Sequence, residues 1–171
     1  MTIVANLYLT HGVMLLSALA AAIVIVPESI GRIVRWWWPA MVALLAALSA
    51  LALIAYPTWG DLKNPGLWMF AILAAVVGVA RGYLLRVDVD QIWGLVRLQR
   101  SYDTFLAAVL LVALAAIEIM LANIGPADQP TMELGMTIAA SYLVGLTAAV
   151  LFRARSEPHA DLHDPSRPVH G

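Results

Sequence analysis

Long apolar runs alternate with short polar breaks along this chain. The apolar stretches cover residues 3–26, 39–56, 67–85, 104–123 and 132–152. Between them lie "VPESIGR", "YPTWGDLKNPG", a charged block from Arg81 to Asp103, and "NIGPADQP". Each run has about the 17–25 residues that a helix needs to cross the hydrocarbon of a bilayer. The Pro, Gly, Asn and Asp of the breaks supply turn chemistry. The pattern predicts an all-α integral membrane protein, a bundle of five transmembrane helices. Arg81 falls in the last turn of the third helix and is expected to snorkel outward to the interface.

The charged block has a different period. "RVDVD" and "LVRLQR" alternate apolar and polar residues, as strands do. A two-residue turn at Trp93-Gly94 would pair Asp90 with Arg97 and Val89 with Leu98, with opposite charges on one face and aliphatics on the other. A competing reading takes Val89, Ile92, Trp93 and Val96 as the apolar stripe of a helix lying on the membrane surface. Gly94 and the valines weigh against it. The block is therefore expected to be a short β-hairpin or an interfacial helix. Residues 1–153 form the membrane domain. Residues 154–171 are rich in proline, poor in apolar residues and expected to be a disordered tail.

Charge placement then orients the bundle. Arg32 and Arg35 lie in the first connection, Arg81, Arg86, Arg97 and Arg100 in or beside the third, and Arg153, Arg155 and Arg167 in the tail. Lys63 is the only basic residue in the second and fourth connections. The positive-inside rule therefore puts the N-terminus outside and the C-terminus in the cytoplasm. Trp36, Trp37 and Trp38 fall at the expected inner interface, and Tyr56, Trp59 and Trp68 at the outer one.

Composition excludes several function classes. Hydrophobic residues make up 62% of the chain and charged ones 12%, which is wrong for a soluble globule. The net charge of −1 gives no global attraction to nucleic acid. No cysteine is present, which removes disulfides, iron–sulfur ligation and c-type haem attachment. The first run has no basic residue before it and is longer than a typical signal-peptide core, so it reads as a retained anchor. Nine of the ten basic residues are arginine, as in a GC-rich bacterial genome, and the expected location is a bacterial inner membrane.

The charged block, "R…VDVD…G…VRL", flanked by alanine- and leucine-rich spans, resembles small bacterial multi-span proteins of the CcdC-like type, several of them uncharacterised. The resemblance covers the third and fourth spans and their connection. It implies a multi-pass fold and a link to cytochrome c maturation. No catalytic residue carries over with it.

Ionisable residues inside spans are functional candidates because burying them is expensive. His11 and Glu118 are the two here. At 1.5 Å rise per residue they lie about 12 Å and about 8 Å below the same outer surface. A His–Glu pair at that depth suits a proton relay or a site for a polar headgroup such as a quinone. The bland alternative is that each reaches the interface or a neighbouring polar side chain. Arg86, Asp88, Asp90, Arg97 and Arg100 face lipid headgroups or dock a cytoplasmic partner.

Gly78 and Gly82, four residues apart, permit close helix packing, as do Ala43/Ala47, Ala46/Ala50 and Gly135/Ala139. No metal or cofactor is expected. A bis-His haem would need a second intramembrane histidine, and His159 and His163 sit with Asp161 and Asp164 in the tail. The expected function is that of a non-enzymatic accessory or scaffold protein of a membrane complex, partnered by the bilayer and by another membrane protein or a second copy of itself. A small carrier or proton-linked redox partner using His11 and Glu118 is the alternative.

Overall fold

The computed structural model describes residues 2–54, 65–99, 101–122, 130–160 and 162. They form five helices and three strands: α1 Thr2–Ser29, β1 Ile33–Arg35, α2 Trp38–Ile54, α3 Pro65–Leu84, β2 Val87–Asp90, β3 Leu95–Leu98, α4 Asp103–Ala122 and α5 Pro130–Ser156. The helical runs are built of alanine and leucine, good helix formers. A helix is also the one open-chain form that satisfies its own backbone in lipid. Four helices (α1, α3, α4 and α5) are long and apolar enough to cross a membrane, the make-up of a multi-pass membrane protein. α2 has 17 described residues and is shorter than the other four. The end of its expected span, Tyr56, lies outside the described residues.

α1, α2, α5 and α4 pack in a ring, and α3 is attached to that ring through α5. The ring encloses Met14, Ala18, Ala46, Ala108, Leu111, Ala115, Met136, Ala140 and Leu143, all buried. Small residues at this core let the helices approach closely. Two polar groups tie α1 to α2. Ser49 Oγ donates to Met14 O at 2.9 Å, and Trp38 Nε1 donates to Val24 O at 2.7 Å.

The α3–α5 contact rests on glycine. A Cβ on Gly82 would stand 2.7 Å from Ala149 Cβ and 2.8 Å from Leu146 O, and one on Gly78 would meet Leu146 N at 2.9 Å. From the other side, a Cβ on Gly145 would meet Ala75 Cα at 2.9 Å. Backbone thus lies against backbone, a spacing that only glycine permits.

At one end of the bundle the strands form an antiparallel sheet in the order β1-β3-β2. Val87, Val89, Val96 and Leu98 turn to one face and pack on Leu146 and Val150 of α5. The hairpin forms, but its register is not the expected one. Arg97 lies opposite Asp88 rather than Asp90, and Val89 opposite Val96 rather than Leu98. The connection is a four-residue turn, Gln91 to Gly94. Its cause is Asp90, whose Oδ1 accepts the backbone N–H groups of Ile92 and Trp93, both at 3.1 Å. That cap lengthens the turn, and Gly94 closes it at φ 62°. A shift of two residues preserves the facing of every side chain, so the division into charged and aliphatic faces survives. The interfacial-helix reading does not, because Val89 and Val96 are paired strand residues.

Two further departures concern the C-terminal segment and the first connection. The expected tail boundary at 153 falls inside α5, which runs to Ser156. Beyond it the backbone turns along the free edge of β2. Ala160 N donates to Val89 O at 2.8 Å, and Gln91 Nε2 donates to Glu157 O at 2.8 Å. Residues up to Ala160 are thus held by the sheet where a disordered tail was expected. β1 was not foreseen either. Three residues within "GRIVRWWW" are too short to show a period.

Candidate functional site

The two ionisable residues inside the spans come from helices that pack on each other. His11 lies on α1 and Glu118 on α4. His11, Met14 and Ala18 follow one helical face, and Met14 and Ala18 line the core. Glu118 is buried, 5% exposed, and its Oε2 makes no hydrogen bond among the described residues. His11 is half-buried and close enough to Glu118 to interact with it electrostatically. The structure thus brings the two sequence candidates together at one helix–helix contact. An imidazole within electrostatic reach of a carboxylate with an open lone pair can serve a proton relay or accept a hydrogen bond from a polar ligand.

Near this point α1 also carries polar side chains toward the core. Ser17 Oγ donates to Val13 O at 2.6 Å and to Met14 O at 3.0 Å. On α5, Thr137 Oγ1 is buried with no hydrogen-bond partner among the described residues.

No protein-family model, no curated protein and no solved structure matches this chain. Its chemistry is therefore read from its own residues.

At the sheet end, Arg86 is exposed just before β2, and Asp88 is exposed opposite the half-buried Arg97. Asp90 is the exception among the block's acids, being 1% exposed. Burial pushes its pKa up, but the backbone donors of Trp93, Ile92 and Leu162 and the nearby His159 outweigh that and hold it below the usual carboxylate value. His159 Nδ1 is 3.7 Å from Asp90 Oδ1 and accepts the Gln91 N–H at 3.3 Å. Arg100 lies outside the described residues, as do Asp161, His163 and Asp164. Among the described residues no group of three or more His, Asp or Glu side chains is placed to hold a metal.

Two residues carry roles that the sequence concealed. Arg81, expected only to reach for the interface, forms an ion pair with Asp103 at the start of α4. Tyr142 of α5 donates to the same Asp103 Oδ2 at 3.4 Å, so three helices meet there. Arg153 caps the end of α3. Its Nη1 donates to Tyr83 O at 2.9 Å and to Leu85 O, while Nη2 pairs with Glu157 at 2.6 Å. The i, i+4 spacing of Arg153 and Glu157 was visible in the sequence. The cap was not, because its acceptors are backbone atoms about seventy residues away.

Proposed function

We propose that this chain is a non-enzymatic multi-pass protein of a bacterial inner membrane, an accessory or scaffold component of a membrane complex. In this reading its N-terminus is outside and its sheet and tail are cytoplasmic. The sheet is the observation that carries it. β1 comes from the first connection, β2 and β3 from the third, and Val89 bridges to His159 of the tail. Those same three segments, with Arg81 at their edge, hold nine of the ten basic residues. An end so enriched in arginine stays in the cytoplasm. A small sheet tied by short connections to four helices, and resting on the fifth, is a rigid platform. Its outward face carries Asp88 opposite Arg97, with Ile33 on the other side of Arg97, a surface that suits a protein partner better than a substrate. The resemblance to CcdC-like proteins fits the same accessory role.

The chain's lack of cysteine makes the test direct. Asp88→Cys and Ser156→Cys should react with a membrane-impermeant maleimide only after permeabilisation, and Asp61→Cys and Asp128→Cys in intact cells. Labelling of Asp88→Cys in intact cells would overturn the orientation. A photo-crosslinker carried on Asp88→Cys in native membranes should give one protein adduct of discrete mass, and an adduct of twice the chain's mass would identify a second copy. Adducts to lipid alone would remove the scaffold reading.

Buried Glu118 beside His11 favours a second reading, a small carrier or proton-linked redox partner. A soluble quinone analogue should then raise the melting temperature of the purified protein in detergent, and Glu118→Gln should abolish the rise. An unchanged melting temperature in the wild type would exclude quinone.

A further inference from the structure

Three large exposed side chains at the sheet end are gathered at one place. Ile92 and Trp93, in the turn between β2 and β3, are 75% and 69% exposed, and Trp36 is 51% exposed. Trp36 N donates to Gly94 O at 3.1 Å, and Trp36 Cδ1 lies 3.3 Å from where a Cβ on Gly94 would stand. The turn is therefore pinned beside the residues that lead into α2. The other end of the hairpin is tethered as tightly, following Leu84 of α3 and leading into Asp103 of α4. Held at both ends, the hairpin lies across the end of the bundle. Its tip sits at the level where α2 enters its apolar run.

Position and chemistry agree at this level. Tryptophan and isoleucine exposed to bulk water are costly, whereas indole is favoured among lipid headgroups, with its ring in the apolar boundary and its N–H hydrated. Ile30 and Ile33, 45% and 43% exposed, lie on the segment that leads through β1 to Trp36. Arg32 and Arg35 alternate with them and are exposed too. An apolar edge interleaved with arginine combines burial in the acyl boundary with attraction to acidic headgroups.

We propose that the Ile92-Trp93 turn and Trp36 insert at the headgroup level of an anionic leaflet, with Arg32 and Arg35 binding the phosphates of its acidic phospholipids. This rests on the membrane-spanning reading but not on the direction in which the bundle is inserted.

The test uses the full chain in vesicles of phosphatidylcholine and phosphatidylglycerol, with acyl-chain bromine placed near the carbonyl end of one lipid or the other. The fluorescence lost on Trp93→Phe, and separately on Trp36→Phe, isolates each indole. Both contributions should be quenched, and more strongly when phosphatidylglycerol carries the bromine. In the Arg32→Gln/Arg35→Gln variant the excess should vanish while the quenching itself remains. A Trp93 contribution quenched by neither lipid would overturn the proposal and indicate a tip in water or against protein. Equal quenching by both lipids in the wild type would overturn the acidic-lipid part. Failure of the membrane-spanning reading would look different, since the remaining emission, including Trp37, Trp38 and Trp68, would then escape quenching as well.

Discussion

Arg81 in the last turn of α3 and Asp103 at the start of α4 form an ion pair across the mouth of the β-hairpin. The pair closes the two helices that the hairpin separates, and Tyr142 brings α5 into the same contact. Both side chains keep partial exposure, 41% and 33%, so water screens the attraction. Exposed pairs contribute about 0–1 kcal/mol. Arg81→Ala and Asp103→Asn should each lower stability by about that amount, and the double variant should cost less than the sum. Chemical denaturation in detergent measures the cycle. Full additivity would mean that the two charges are spectators.

The glycines of the α3–α5 contact should tolerate far less. Gly145→Ala places a methyl group against the backbone of Ala75, and Gly78→Val places a larger one against that of Tyr142. Neither neighbour is a flexible side-chain end, so the helices must move apart. Overpacking of this kind costs about 1–3 kcal/mol, and more where backbone is met. Gly12 is the control, because a Cβ there meets nothing within 4 Å. Gly12→Ala should leave stability unchanged or raise it by about 0.5–1 kcal/mol through helix propensity. Thermal melts of the three variants should separate in that order.

Asp90 makes the sheet end sensitive to acid. Its folded pKa lies below its unfolded value, because backbone donors and His159 outweigh the effect of burial. The ionised carboxylate therefore stabilises the turn fully above the unfolded pKa, about 3.9. That contribution is lost as pH falls through the lower folded value. Amide exchange at Ile92 and Trp93, corrected for its intrinsic pH dependence, should lose protection only below about pH 4. In Asp90→Asn the protection should be weaker at neutral pH and no longer acid-dependent. An acid-dependent Asp90→Asn would assign the effect to another group.

His11 and Glu118 should be energetically coupled. Losing one removes a charge or dipole that the other feels across the α1–α4 packing, so single losses overlap. For His11→Ala, Glu118→Gln and the double variant, the coupling should fall in the range of about 0.5–3 kcal/mol found for residues in contact. Melting temperature in detergent reads it. Strict additivity would dissolve the pair and the carrier reading with it.

The local pattern by itself determined that the chain is helical and apolar enough for a membrane, though Pro27, expected in the first break, lies inside α1. Those features depend on runs of neighbouring residues, and Pro, Gly and Asp act within a few positions of themselves. The alternation around Val87 and Leu98 announced a hairpin for the same reason, and its two-faced character survived a register error because strand facing has a period of two. His11 and Glu118 stood out because an ionisable side chain in an apolar run is legible without any partner.

Only the tertiary structure decided what meets what. Register turned on a hydrogen bond from two turn amides to Asp90, which strand periodicity does not encode. β1 exists because Val34 finds Val96 across about sixty residues of chain, and three residues carry no period of their own. Arg81 looked like a lone snorkelling cation because nothing local offers it a partner; Asp103 is brought to it only when the hairpin folds back and returns the start of α4 to the end of α3. Gly145 passed as one more small residue until α3 was laid against it. Such contacts depend on helix adjacency, and in a lipid-like setting adjacency is selected by close packing and a few polar links rather than by any one-dimensional pattern.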